Sequence, residues 1–156
     1  ESADNMTDRI AALGTLTNGH AAQRDRALAG FYDRYRDNPL VIDKWFSTQA
    51  FSVRPDTGQV VKALRAHPDF TLHNPNRVRS LVGAFAMNQQ HFHAADGSGY
   101  RFLADILLEL DAINPQTAAK LLPPLAGTVA LDGMQLAGIA ARARARAIAS
   151  PACAGA

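Results

Sequence analysis

Residues 74–85 read NPNRVRSLVGAF, and this stretch decides the fold class. The side chain of Asn74 can accept a hydrogen bond from a free backbone N–H at a helix start, and Pro75 has no N–H to leave unsatisfied. Apolar residues then recur at the three- and four-residue spacing of a helix, at Val78, Leu81, Val82 and Phe85. The stretch therefore predicts a helix that buries one apolar face.

The same dipeptide occurs twice more, at Asn38-Pro39 and Asn114-Pro115, so that the three predicted helix starts lie 36 and 40 residues apart. This spacing suits two helices and two turns, which is close to the period of stacked helix-pair repeats. Other apolar stripes with helical spacing are Met6, Ile10, Leu13; Leu28, Phe31, Tyr35; Val41, Ile42, Trp45, Phe46; Val60, Val61, Leu64; and Leu103, Ile106, Leu107, Leu110. The pattern predicts an all-α fold, an α–α superhelix of stacked helix hairpins of the armadillo or HEAT kind.

Prolines predict where two of these helices end. Pro68 should close the helix that follows the turn at residues 54–58, and Pro123-Pro124 should end or kink the helix that begins at Pro115. With 156 residues, of which 47% are apolar, the chain suits one domain over residues 1–156. No apolar run reaches the roughly 18 residues of a membrane span, and the charged start is unlike a signal peptide.

The charge and the acidic residues exclude several functions. The net charge of +2 depends on Arg142, Arg144 and Arg146, and without them the chain is close to neutral, which argues against a nucleic-acid partner. The chain contains two glutamates, Glu1 and Glu109, and neither follows a histidine. A zinc-protease helix of the form His-Glu-x-x-His is therefore absent.

Three side chains could have held a metal ion, and two arginines could bind an anion. His91, His93 and Asp96 are close in sequence, but no further ligand has a fixed spacing, so we favour a helix end over a metal site. Arg77 and Arg79 flank the apolar stripe of residues 78–85. Such arginines usually lie across apolar surface, but a guanidinium can also pair with a carboxylate through two bonds. We find no catalytic centre in the sequence.

Several segments together resemble a known family: residues 5–9 (NMTDR), 43–46 (DKWF), 74–85 (NPNRVRSLVGAF), 92–100 (FHAADGSGY) and 114–116 (NPQ). In this order and spacing they are similar to the C-terminal domain of bacterial aminopeptidase N, a zinc metallo-aminopeptidase of the gluzincin class. The resemblance runs from about Asn5 to Leu125. It implies a superhelix of paired helices that follows three earlier domains, which carry the zinc and the groups that hold the substrate amine.

The resemblance implies a non-catalytic domain that closes over the catalytic domain of its own chain and controls access of peptides to an enclosed cavity. Arg79 matches a family arginine that faces this cavity, and Lys120 occupies a position where relatives often have arginine. We expect both, and with less support Arg77, to hold peptide substrates by charge. The fragment itself then has no metal site and no activity, while its parent is a cytoplasmic zinc aminopeptidase.

The last part of the chain departs from this family. Residues 127–156 contain no aromatic residue where relatives continue with another helix pair, and residues 150–156 are expected to be frayed. A free-standing helical-repeat adaptor that binds peptides or proteins is the alternative function. A large apolar patch would favour the enzyme domain, and a polar groove with aromatic anchors would favour the adaptor.

Overall fold

The structure is a computed structural model that describes residues 5–19 and 21–125, and all its regular elements are helical. In chain order they are α1 (Met6–Thr17), α2 (Ala21–Tyr35), α3 (Pro39–Ala50), α4 (Thr57–Arg65), α5 (Pro75–Val78), a π-helical segment (Arg79–Gly83), α6 (Ala84–Met87), α7 (Gln89–Phe92), α8 (Ser98–Ile113), α9 (Pro115–Lys120) and a 3₁₀ turn (Pro123–Leu125). No strand occurs within the described ranges, so the predicted all-α class is confirmed. The expectations for residues 127–156 lie outside these ranges.

The three predicted helix starts are confirmed in detail. The side-chain oxygen of Asn38 accepts from the Val41 N–H at 3.4 Å, that of Asn74 from the Asn76 N–H at 3.0 Å, and that of Asn114 from the Thr117 N–H at 3.0 Å. Each is followed by a proline in the first turn. These local signals set where α3, α5 and α9 begin, because each satisfies a backbone donor that the helix leaves free.

The apolar stripes form one core. Most of the residues predicted to face inward are buried, and Met6, Ile10, Tyr35 and Val60 are half-buried at its edge. Helix α3 lies at the centre of the first half, where it packs against α1, α2, α4 and the π-helical segment. The indole N–H of Trp45 donates to the Leu28 carbonyl at 3.0 Å, which fixes α3 against α2.

Two asparagine side chains hold the connection between α3 and α4. The Asn18 side-chain oxygen accepts from the Ser52 hydroxyl at 2.9 Å and from the Val53 N–H at 3.1 Å. The Asn88 amide donates to the carbonyls of Ala50 at 3.0 Å and Ser52 at 2.9 Å. The turns that follow α1, α3 and α6 therefore meet at one end of the helices.

The structure differs from the sequence prediction in the second half. The helix that begins at Pro75 contains the π-helical segment and stops at Asn88, whose side chain then caps α7 through the His91 N–H at 3.4 Å. Helices α4 and α9 end at Arg65 and Lys120, each three residues before the proline that was predicted to end it. Within the described residues no helix is long and apolar enough to cross a membrane.

Candidate functional site

Arg79 is the first residue of the π-helical segment, and its side chain is exposed. Its guanidinium donates to the side-chain oxygen of Asn76, one turn earlier on the same helix. A π-helical turn inside an α-helix is rare and frequently occurs at functional sites. Arg79 therefore lies at a local irregularity of the helix, with its guanidinium at the surface of the protein.

Lys120 is the last residue of α9 and is also exposed. The end of α9 lies against the π-helical segment at Gly83. A methyl group built on Gly83 would lie 3.6 Å from Leu121 Cδ2 and 3.8 Å from Arg79 Cβ. The two segments that carry Arg79 and Lys120 are thus neighbours in the fold, although they lie 41 positions apart in sequence.

The Arg77 side chain lies in the protein interior. The residue is 6% exposed, its Nε lies 3.1 Å from Asp43 Oδ1, and its guanidinium carbon lies 5.0 Å from the centre of the Phe46 ring. The Ser80 hydroxyl lies 3.4 Å from the same carboxylate oxygen of Asp43. The head of Arg77 is therefore engaged with α3, and its part in a peptide channel stays a prediction.

Sequence reasoning missed this ion pair because its partners come from separate helices. Asp43 lies beside the apolar stripe of α3 and Arg77 beside that of α5, but Lys44 and Arg79 lie just as close to these stripes in sequence. The 36-residue spacing of Asn38 and Asn74 relates the two stripes to each other. It does not show that the stripes face each other or which of the charges pair.

His91, His93 and Asp96 have different surroundings in the structure. The His93 ring nitrogen Nδ1 and the Tyr100 hydroxyl share a hydrogen bond, whereas His91 Nε2 is buried and has no hydrogen-bond partner among the described residues. Asp96 accepts from the Ser98 N–H at 2.9 Å at the start of α8. No group of three or more histidine, cysteine, aspartate or glutamate residues that could hold a metal is found in the described part of the chain, and zinc is not assigned to these residues.

A second charged cluster joins the start of α2 to the start of α4. The two Asp56 carboxylate oxygens contact Arg24 Nη1 at 3.2 Å and Arg54 Nε at 3.0 Å, and Arg54 also donates to the Gly19 carbonyl at 2.7 Å. The hydrogen bond from Arg54, followed by that from Arg24, holds the pKa of the Asp56 carboxyl below its usual range despite partial burial. Arg24 Nε also lies 3.0 Å from Asp25 Oδ1, so two arginines face two aspartates. The cluster is balanced in charge and holds the starts of the two helices together.

Replacing Asp56 with asparagine should lower the free energy of unfolding near pH 7 by about 1 kcal/mol or less, because the carboxylate is more than a third exposed to solvent. Since the folded pKa lies below the ordinary value of 3.8, the stabilisation is present above that value and is lost as the pH falls through the folded pKa. Urea unfolding from about pH 7 to about pH 2 measures this loss. The exposed Asp105→Asn is the control, and a pH-independent difference would contradict the assignment.

The fold and these contacts define a helical-repeat domain. Over residues 1–143 the chain matches the family described as "Domain of unknown function (DUF3458_C) ARM repeats". The chain belongs to this family, which confirms the predicted armadillo-type architecture. It is a C-terminal ARM-repeat domain of the kind found in bacterial aminopeptidase N.

Three curated relatives support this family assignment. The chain is 47% identical over 127 residues to Aminopeptidase N of Caulobacter vibrioides. The aligned residues cover 81% of this chain and 15% of the relative. It is 48% identical over 127 residues to Aminopeptidase N of Haemophilus influenzae, and the aligned residues cover 80% of this chain and 14% of that relative. It is 46% identical over 124 residues to Aminopeptidase N of Escherichia coli, and the aligned residues cover 79% of this chain and 14% of that relative. The chain thus spans about 15% of the length of these relatives.

A solved structure shows the same fold. The crystal structure of Legionella pneumophila aminopeptidase A in complex with aspartic acid matches with a TM-score of 0.77 and 36% sequence identity. The match covers 88% of this chain and 16% of that chain. The helical arrangement described above is therefore that of a segment within a larger aminopeptidase.

Proposed function

We propose that this chain is the non-catalytic C-terminal domain of a cytoplasmic zinc aminopeptidase that releases N-terminal amino acids from peptides. In this proposal the domain closes over the catalytic domain of its own full-length chain and controls which peptides enter the active-site cavity. Family membership and the similarity to Aminopeptidase N of Caulobacter vibrioides support the enzyme class. The zinc and its ligands then belong to the part of the relatives that this chain does not cover.

A patch of exposed apolar side chains carries the docking part of the proposal. Leu16, Phe51, Val53 and Met87 are exposed and lie in, or in the last helical residues before, the turns that the two asparagines bring together; we name them the turn-end patch. Met87, the most exposed of them at 71%, directly precedes Asn88. Clustered exposed apolar residues mark sites of contact with other proteins or domains. The turn-end patch therefore favours an interdomain surface over the polar groove expected of a free-standing adaptor.

Mixing this chain with the remainder of the enzyme tests the docking proposal. The chain alone with zinc should not cleave an aminoacyl chromogenic substrate, and adding it to the truncated remainder should change the activity of that remainder. Val53→Asp and Met87→Asp should weaken this effect, because a charge in an apolar contact is costly to desolvate. The proposal would be overturned if the chain alone cleaved the substrate, or if adding the chain left the activity of the truncated remainder unchanged.

Leu40 offers a matched control for the turn-end patch. It is as exposed as Met87, at 69%, but lies near the start of α3, about 16 Å along the helix from Phe51. Leu40→Asp should therefore leave the effect of the chain on the remainder unchanged. If Leu40→Asp and Met87→Asp act alike, the exposed apolar residues have no specific docking role.

We also propose that Arg79 and Lys120 hold the carboxylate end or the backbone of a peptide by charge. Both are exposed and lie on neighbouring segments, on either side of the contact at Gly83. The Arg79 guanidinium can form two parallel bonds to a carboxylate, whereas the Lys120 ammonium acts as a point charge. We therefore assign the larger contribution to Arg79.

Arg79→Ala in the full-length enzyme should raise KM for short peptides by about tenfold, which corresponds to the loss of one charge-assisted hydrogen bond. Arg79→Lys should recover part of that loss, and the exposed arginine Arg26 on α2 provides the control Arg26→Ala. Steady-state kinetics with a series of peptides of increasing length measures the effect. A KM that is unchanged at every length would remove Arg79 from the substrate path.

A further inference from the structure

A cavity of about 280 Å³ lies between α4, α6, α7 and the start of α8. Its lining combines aromatic rings, an imidazole and two opposite charges: Phe85, Phe102, His91, Gln59, Lys62 and Asp96. None of these side chains belongs to the proposed peptide contacts at Arg79 and Lys120. The cavity is therefore a separate feature that the proposed function does not explain.

The inner part of the cavity is apolar and rigid. The rings of Phe85 and Phe102 meet edge to face, with their centres 5.6 Å apart at an angle of 89°, and both residues are buried. Next to them, His91 Nε2 is buried without a hydrogen-bond partner among the described residues. Buried polar atoms normally have a partner, so this nitrogen marks a position where a bound molecule or water completes the contacts.

The outer part of the cavity carries opposite charges that are not paired with each other. Asp96 Oδ1 accepts from the Ser98 N–H at 2.9 Å; this bond chiefly lowers the Asp96 pKa, and the positive charges of Arg101 and Lys62 add to it. Lys62 makes no ion pair within 4 Å and no hydrogen bond among the described residues. A carboxylate and an ammonium thus both line the cavity without forming an ion pair with each other.

We propose that this cavity binds a free α-amino acid with an apolar side chain. The ligand ammonium would contact Asp96, and its carboxylate would contact Lys62. Its side chain would lie against Phe85 and Phe102, and a water molecule would complete the contacts of His91 Nε2. The cavity volume of about 280 Å³ suits a molecule of the size of leucine. A simple anion would be repelled by Asp96 and a simple cation by Lys62, whereas a zwitterion satisfies both charges.

This proposal concerns only residues of this chain and does not depend on the proposed enzyme. Its test is therefore made on the 156-residue chain without any activity assay. Titration with L-leucine should give saturable changes in the NMR signals of the His91 ring, with a Kd on the order of 1 mM for a ligand of this size. The signals of His93, which bonds to Tyr100, are the internal reference.

Two leucine analogues test the zwitterion. N-acetyl-leucine lacks the ammonium and leucinamide lacks the carboxylate, so each should bind at least about tenfold more weakly than leucine. Equal affinity for leucine and either analogue would overturn the proposal. The absence of a saturable shift at His91 would overturn it as well.

Two variants test whether Asp96 contacts the ligand ammonium and Lys62 the ligand carboxylate. Asp96→Asn keeps an acceptor for the Ser98 N–H and removes the charge. Its affinity for leucine should fall about tenfold and should then equal its affinity for N-acetyl-leucine. Lys62→Met should likewise weaken the binding of leucine about tenfold, and this variant should bind leucine and leucinamide with equal affinity. The exposed Lys44, which does not line the cavity, gives the control Lys44→Met. Unchanged leucine binding in both cavity variants, with the fold intact by circular dichroism, would contradict the site.

Discussion

Arg77→Ala is expected to lower the free energy of unfolding by about 3–5 kcal/mol, the range for removing one partner of a buried ion pair. The Arg77 and Asp43 side chains are only 7% and 16% exposed, so the substitution leaves the Asp43 carboxylate in the interior without its compensating charge. It also removes the guanidinium from the face of Phe46, a contact that contributes up to about 2 kcal/mol when desolvated. Urea or thermal unfolding measures the loss.

The neighbouring arginine gives a matched control for this prediction. Arg79 lies two residues away with its side chain exposed, so Arg79→Ala should change the free energy of unfolding by no more than about 0.5 kcal/mol. The double variant Asp43→Leu, Arg77→Met should recover most of the loss, because it removes both charges together. A loss below about 1 kcal/mol in Arg77→Ala would show that the ion pair does not stabilise the interior.

Gly99→Ala is expected to destabilise the protein by about 1–3 kcal/mol or more, because the added methyl group has no space. A Cβ at Gly99 would lie 2.3 Å from the Phe92 carbonyl oxygen and 2.8 Å from Phe92 Cα. These are backbone atoms, which cannot move aside as a side chain can. The helices α7 and α8 would therefore have to separate at the place where Phe92 packs against Tyr100, with ring centres 5.0 Å apart.

The same substitution at Gly30 should have the opposite sign. Gly30 lies inside α2, and a Cβ there would meet no atom within 4 Å. Gly30→Ala should stabilise the protein by about 0.5–1 kcal/mol, since alanine is the better helix former. Thermal unfolding of the two variants compares them directly. If both shift the midpoint in the same direction, close backbone contact is not the reason for glycine at position 99.

The sequence predicted those features that depend on neighbouring residues. The capping side chain of Asn74 and the following Pro75 act within one helical turn, so the start of α5 could be located to the residue. Asn88 caps α7 in the same way. Because no proline follows Asn88 and it ends an apolar stretch, the sequence did not indicate that a new helix begins there. The π-helical segment was also missed, because the stripe from Val78 to Phe85 agrees with the ordinary helical period.

The features that depend on tertiary contacts could not be predicted. The burial of Arg77 requires Asp43 on a different helix, and the cavity requires that Lys62 on α4 and Asp96 before α8 lie on the same side of Phe85. Each of these residues is unremarkable in its own segment. The sequence located Arg79 and Lys120 through a family resemblance, and the structure adds that the segments carrying them are adjacent at Gly83.

The connection between α3 and α4 has a consequence for how such repeats change length. The Ser52 carbonyl accepts from both Asn88 and the Thr57 hydroxyl, while Asn18 binds the same connection from the opposite side. A residue inserted there would break hydrogen bonds to two other hairpins at once. The register of the α3–α4 hairpin should therefore persist as the repeats diverge.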